Sequence, residues 1–168
     1  MKKTVALAGI IALALPASAS SAAALSALDK HYIQNSAMGD HFEIIGGKLA
    51  AARGTNLKVK GLGSRLAKDH GASLKELRGL GKTFHVSIPK SPTHSQTWEI
   101  DQIKGLTGKS FDRAYASLEV ADHRDDIEEA TEEAKSGTNS TVRASARKEL
   151  PTLRLHLKLA KAALKAVG

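Results

Sequence analysis

The sequence predicts an all-α protein, a ferritin-like four-helix bundle of two helical hairpins joined by a long crossover with a short extra helix. Three observations predict it. Apolar residues recur at helical rather than alternating spacing in four long segments. The chain matches itself at a shift of 83 residues. A proline-containing segment separates the two halves, and a ferritin-like bundle needs such a long connection.

The internal match predicts that each half is a helix, a tight turn and a second helix. Residues 29–32 (DKHY) correspond to residues 112–115 (DRAY), and Gly-Thr-Asn at 54–56 corresponds to Gly-Thr-Asn at 137–139. Glycine suits the residue that ends a helix, and Thr or Asn can cap the next helix by accepting backbone N–H bonds. Each Gly-Thr-Asn is therefore predicted to be the turn of a hairpin.

These signals give the boundaries of the elements. Hairpin one covers residues 27–84, with helices at 27–53 and 56–84, and hairpin two covers residues 109–167, with helices at 109–135 and 139–167. The crossover, 85–108, contains Pro89 and Pro92, which exclude a regular helix around them. A short helix is predicted at 93–106.

In the first helix, the apolar spacing predicts one core-facing stripe. Its members are Met38, Phe42, Ile45, Leu49 and Ala52. The acidic run from Asp125 to Glu133 is predicted to be a solvated helix face, with a cation site as the alternative.

The N-terminus has the pattern of a secretory signal peptide. Lys2 and Lys3 precede an apolar run that ends before Pro16, and Ala-Ser-Ala at 17–19 offers a cleavage site. The alternative, a membrane anchor, would need roughly 20 apolar residues, and this run is shorter. We therefore expect a signal peptide at 1–19, and a bundle domain at 20–168 that is periplasmic or otherwise exported, soluble and without a transmembrane helix.

Composition narrows the class of partner. The chain contains no cysteine, which excludes disulfides and thiolate ligands. Its formal charge is +8, and removal of Lys2 and Lys3 leaves a mature charge of +6. A basic surface favours an anionic envelope surface, which the basic last helix could bind, or a protein partner. Aromatic residues are sparse, so the stacking platforms of nucleic-acid-binding proteins are not expected.

Several motifs resemble those of an exported bacterial family. They include Leu-Ala-Lys-Asp-His at 66–70, Gly-Lys-Ser-Phe-Asp-Arg-Ala-Tyr at 108–115, Ala-Asp-His at 121–123 and Leu-Pro-Thr-Leu-Arg-Leu-His-Leu at 150–157. In this order they resemble the ferritin-like "domain of unknown function 4142" family of exported and outer-membrane proteins. The resemblance spans nearly all of the mature chain. It implies a ferritin-like fold and an envelope location, but no established activity.

Six polar residues lie on or beside the apolar stripes of their helices. Imidazole and carboxylate groups on facing helices suit a divalent transition metal, and the resemblance implies recurring acidic and histidine positions at four of these sites. The candidate metal ligands are Glu43, His70, Asp122, His123 and His156, with Asp69 as a further member of the same polar network. The competing interpretation is a structural network, in which Asp–His pairs across helices satisfy buried polar groups.

Two functions follow from these interpretations. No Glu-x-x-His is present, although di-metal ferritin-like proteins use that motif, and no Gly-x-Ser-x-Gly occurs. The sequence therefore favours a non-enzymatic envelope protein with a structural His/Asp core and no assigned cofactor. The alternative is a ferritin-like metal-binding protein, with or without redox activity, that uses core His and carboxylate ligands. The sequence alone does not decide whether the protein is an enzyme.

Overall fold

A computed structural model describes residues 24–168, and the predicted signal peptide at 1–19 lies outside these residues. The described part contains five helices and no strand. They are α1 (Ala27–Arg53), α2 (Leu57–Phe84), α3 (His94–Lys104), α4 (Gly108–Ser136) and α5 (Ser140–Val167). The predicted helices are all present, with boundaries that differ by at most two residues.

Side-chain caps explain where most helices begin. Ser26 and Asp29 form a reciprocal capping box at the start of α1, and Thr93 and Gln96 form another at the start of α3. Asn56 and Asn139 were predicted to open their helices, but each is the N-cap, and its side chain accepts backbone N–H bonds. The two helices therefore begin one residue later than predicted.

Each hairpin turn is bound by an aspartate of the other hairpin. Asp112 of α4 accepts hydrogen bonds from the backbone N–H groups of Thr55 and Asn56. Asp29 of α1 accepts the corresponding bonds from Thr138 and Asn139. The four contacts occupy equivalent places in the two halves, so the internal repeat of the sequence is also a repeat of tertiary contacts.

The helices pack as two hairpins that face each other. α1 packs along α2 and α4 along α5, while α2 contacts α5 and α1 contacts α4. The crossover helix α3 contacts α1 and α4. Gly47 and Gly63 mark a close crossing of α1 and α2, because a Cβ at Gly63 would lie 2.5 Å from the carbonyl oxygen of Gly47. The absence of side chains at these two residues lets the backbones approach.

The prediction for the buried face of α1 was correct only in part. Phe42 is fully buried and Leu49 packs against the core, but Ile45 is 40% exposed and Ala52 is exposed. The buried face is of mixed character, and it includes Tyr32, Ile33, Ala37, Asp40, Glu43, Gly46, Gly47 and Ala50. Apolar spacing alone missed the glycines at the close crossing with α2 and the buried polar residues.

The acidic run of α4 is not wholly a solvated face. Asp125, Glu128 and Glu132 are exposed, as predicted. Glu133 is fully buried, and Asp126 and Glu129 are half-buried. Helical spacing of three to four residues turns these three acids toward the bundle. Within residues 24–168 no helix has both the length and the apolar character to cross a bilayer.

Candidate metal centre

Three buried imidazoles from three helices meet inside the bundle. His70 belongs to α2, His123 to α4 and His156 to α5, and each is at most 3% exposed. Their ring centroids are 5.2 to 5.6 Å apart. One ring nitrogen from each lies within 4.8 Å of the others. We call these three residues the trihistidine cluster.

One nitrogen of each imidazole is held by the protein. Nδ1 of His70 lies 2.7 Å from Asp40 Oδ1, and Nε2 of His156 lies 3.0 Å from Asp69 Oδ2. Nδ1 of His123 lies 3.0 Å from the backbone oxygen of Glu119. A carbonyl oxygen can only accept, so Nδ1 of His123 carries the proton.

The other nitrogen of each ring is buried and has no hydrogen-bond partner. These atoms are Nε2 of His70, Nε2 of His123 and Nδ1 of His156. Burial lowers the pKa of His123 to about 3, assisted by the two neighbouring imidazoles. Burial also lowers the pKa of His70, and that of His156 to about 4 despite the hydrogen bond to Asp69. The rings are thus neutral near pH 7, which is the state that binds metals.

Glu43 and Asp122 lie on the other side of His123. Ligand atoms of Glu43, Asp122 and His123 lie within 4.8 Å of one another. Glu43 is fully buried in α1, and its Oε1 is 3.6 Å from Nδ1 of His123. Glu119 of α4, also fully buried, places Oε2 at the same distance from that nitrogen. The structure therefore divides the five predicted ligands between two adjacent groups that share His123.

Asp69 does not join these groups. Its side chain binds His156, and it also pairs with Arg65 one turn earlier on α2. Burial raises the pKa of Asp69, but the hydrogen bonds from Arg65 and His156 outweigh that effect and lower it. Asp69 is therefore ionised at neutral pH, and it positions the His156 ring with Nδ1 directed away from it.

Sequence reasoning missed three acidic residues near the centre. Asp40 binds His70, Glu119 contacts His123, and Glu149 accepts hydrogen bonds from the hydroxyls of Tyr32 and Ser73. Helical spacing places each of them on the same helix face as a predicted site residue. Glu119 lies four residues before His123, Glu149 lies seven before His156, and Asp40 lies three before Glu43.

A cleft between α2 and α5 leads from the surface to two of the imidazoles. Its volume is about 270 Å³. Lys148 of α5 pairs with Glu76 of α2 across it. The cleft is lined by Arg65, Asp69, His70, Ala72, Ser73, Glu76, Leu77, Ser145, Lys148, Glu149, Thr152, Leu153 and His156. A small ligand or ion therefore has a route to the trihistidine cluster.

Comparison with known proteins identifies the family. The family model "Domain of unknown function (DUF4142)" matches residues 14–163. No curated protein matches the chain. Among solved structures, the chain is similar to "Crystal structure of DUF305 fragment from Deinococcus radiodurans", with a TM-score of 0.70 and 10% sequence identity. That similarity covers 85% of this chain and 99% of the other, and it concerns the fold alone. Because the family model spans most of the sequence, the chain belongs to the DUF4142 family.

Proposed function

We propose that this protein binds one divalent transition-metal ion through His70, His123 and His156. The observation that carries the proposal is the set of three inward nitrogens described above, one from each imidazole, all buried and without a hydrogen-bond partner. Imidazole nitrogen suits zinc, copper, nickel and iron. A zinc–nitrogen bond is about 2.0–2.1 Å long, so small side-chain movements would bring the three nitrogens onto one ion.

The atoms behind the imidazoles support this function. Histidine ligands of metals usually donate their second N–H to a carboxylate or a backbone carbonyl, which fixes the ring. Here Asp40 and Asp69 provide the carboxylates, and Glu119 provides the carbonyl oxygen. All three rings have such a partner, and in each ring that partner occupies the nitrogen that does not face the cluster.

The competing proposal is a purely structural network, and two contacts favour it. His70–Asp40 and His156–Asp69 join different helices, as such a network requires. The unpaired nitrogens argue against it, because an unsatisfied buried polar group costs about 1–3 kcal/mol. A network that served only stability would leave fewer of these atoms unpaired. A bound ion would satisfy all three at once.

Three protein ligands would leave a coordination position open. Structural zinc sites usually have four protein ligands, whereas sites with three keep a position for water or another ligand. The cleft between α2 and α5 reaches His70 and His156, so it would supply that ligand from solvent. We propose that the ion would have three histidine ligands and an exchangeable fourth ligand from solvent, rather than a closed structural site.

We further propose a ferritin-like arrangement and a location in the cell envelope. Two hairpins joined by the segment that contains α3 support the crossover arrangement. The charged start, the apolar run and the small residues at 17–19 support export. Mass spectrometry of the periplasmic fraction tests the location, and we expect a mature chain that begins at Ser20. A full-length chain found only in the cytoplasm would contradict export.

Calorimetric titration of tag-free apoprotein tests the metal function. We expect zinc or copper(II) to bind at one site per chain through the trihistidine cluster, and His123→Ala and His156→Ala to weaken that site at least 100-fold. His94→Ala is the matched control, since His94 is exposed at the start of α3. If the two core variants titrate like the control, or if no divalent ion of the first transition row binds, the proposal is wrong.

A further inference from the structure

Beside the trihistidine cluster, the carboxylates of Glu43 and Asp122 lie close to each other and to His123, and Glu119 approaches the same ring. Glu43 comes from α1, and Glu119 and Asp122 come from α4. Glu43 and Glu119 are fully buried, and Oδ2 of Asp122 is buried as well. The carboxylates of Glu43 and Glu119 each approach His123 Nδ1 to 3.6 Å, on the opposite side of the ring from the trihistidine cluster. We call Glu43, Glu119 and Asp122 the carboxylate cluster.

The carboxylate cluster has no cationic partner. Among residues 24–168, no lysine or arginine forms an ion pair with any of its members. Both oxygens of Glu43 and both of Glu119 lack a hydrogen-bond donor. Burying unpaired carboxylates is costly, so such a group must hold protons or a cation. Burial and mutual repulsion raise the pKa of Glu43, and burial raises that of Glu119 to about 8.

A buried hydroxyl beside Glu119 adds a further oxygen to this part of the core. Oη of Tyr115 is fully buried, has no partner within ordinary hydrogen-bond distance, and belongs to a residue one turn before Glu119. The charge of Glu119 contributes to the raised pKa of Tyr115, so the two groups are close. An unpartnered hydroxyl next to unpaired carboxylates supports a bound ligand there.

We propose that Glu43, Glu119 and Asp122 bind a second divalent cation that prefers oxygen ligands, next to the ion of the trihistidine cluster. This inference rests on the proposed function, in that it takes the trihistidine ion as its neighbour. Carboxylate oxygens suit manganese, magnesium and calcium, whereas three neutral imidazoles suit zinc or copper. The His123 ring separates the two sites, with Nε2 facing one and Nδ1 facing the other. Two chemically different sites would therefore select two different ions.

The test uses zinc to fill the trihistidine cluster and manganese(II) as the probe of the carboxylate cluster. Apoprotein is loaded with one equivalent of zinc and then titrated with manganese, and the signal of free manganese is followed by electron paramagnetic resonance. We expect one manganese per chain. Glu119→Gln and Glu43→Gln should each weaken manganese binding at least tenfold and leave zinc binding within threefold. Glu132→Gln, an exposed acid on the same helix, is the control and should change neither.

His156→Ala separates failure of this inference from failure of the proposed function. We expect this variant to lose zinc and retain manganese. Normal zinc binding with no bound manganese would overturn the second site and leave the first intact. Manganese bound through Glu119 in a protein that never binds zinc at the histidines would support the second site and refute the first. A single ion lost in both His156→Ala and Glu119→Gln would show one mixed centre and overturn the inference.

Discussion

Nδ1 of His70 lies 2.7 Å from Oδ1 of Asp40, and both side chains are almost completely buried. The pair joins α2 to α1, and it leaves Nε2 of His70 buried without a hydrogen-bond partner in a ring that contacts the other two imidazoles. Asp40 thus determines the orientation of a proposed ligand without touching the space that the metal would occupy. Asp69 has the same relationship to His156, through the opposite ring nitrogen.

Replacing the carboxyl group of Asp40 by an amide should weaken metal binding. In Asp40→Asn the shape of the side chain is kept, but the group that can ionise and accept the Nδ1 proton of a metal-bound His70 is lost. Mutation of a residue that hydrogen-bonds to a metal ligand typically lowers metal affinity 10–100-fold, and we expect a loss in that range. Zinc titration of the apoprotein measures it. Asp101→Asn on the exposed side of α3 is the control. Equal affinities for the two variants would show that Asp40 does not support a metal ligand.

Metal affinity should rise with pH between pH 6 and pH 8. Burial raises the pKa of Asp40 to about 8, so the Asp40–His70 pair holds an extra proton at neutral pH. While Asp40 is protonated it donates to Nδ1 of His70, so the single proton of the neutral ring is on Nε2. A metal at Nε2 would displace that proton, and Nδ1 would take the proton of Asp40. The pair would therefore release one proton in total. We expect affinity to increase several-fold per pH unit and to level off above pH 8. Calorimetry in buffers of different ionisation enthalpy would detect the released proton, and a pH-independent affinity would show that metal binding at His70 releases no proton.

The metal-free protein should lose stability as pH rises from 6.5 to 8.5. Burial raises the pKa of Glu119 to about 8, so the folded protein retains a proton that the unfolded chain has already released near pH 4.5. This stabilisation is complete below pH 4.5 and is lost as pH rises through 8. The lowered pKa values of the histidines act in the opposite direction, but only below pH 6.5, where the unfolded chain takes up protons.

Glu119→Gln should flatten this dependence. The variant cannot release the proton, so its free energy of unfolding should fall by about 1–2 kcal/mol less than that of the wild type between pH 6.5 and 8.5. Urea unfolding at several pH values gives the comparison. Glu132→Gln should follow the wild type, because Glu132 is exposed. Parallel curves for Glu119→Gln and the wild type would exclude Glu119 as a buried proton carrier.

Loss of a cross-hairpin aspartate should destabilise the bundle. Asp112→Ala removes the acceptor for the N–H groups of Thr55 and Asn56. Each orphaned donor costs about 1–3 kcal/mol, and Asp29→Ala should have a similar effect at the equivalent turn. Thermal unfolding of the apoprotein measures both. The control is Asp125→Ala, since Asp125 is exposed on α4. A melting temperature unchanged from the control would show that these contacts do not tie the hairpins together.

The helices were predictable because their signals are local. Gly54 and Gly137 end two helices, and Asn56 and Asn139 cap the next ones, so a few adjacent residues define each turn. In α2 and α5 the apolar residues recur at helical spacing, and residues such as Leu66, Leu77, Leu153 and Ala160 are buried. These two helices concentrate their apolar residues on one side.

The face of α1 and the acids around the histidines were less predictable. The inner face of α1 carries glycines that permit the crossing with α2, and it carries Asp40 and Glu43, which are buried only because α2 and α4 surround them. Sequence spacing could place His70, His123 and His156 on inner faces. It could not show that one nitrogen of each would be left free, because that depends on partners far away in the chain.

The position of a bound ion decides whether the three buried imidazoles form a metal site. Crystals of tag-free protein grown with one equivalent of zinc should give an anomalous scattering peak between α2, α4 and α5. We expect this peak at about 2.0–2.1 Å from Nε2 of His70, Nε2 of His123 and Nδ1 of His156. An empty space between the three rings, with peaks only at exposed histidines such as His31 and His94, would show that these imidazoles do not bind the ion.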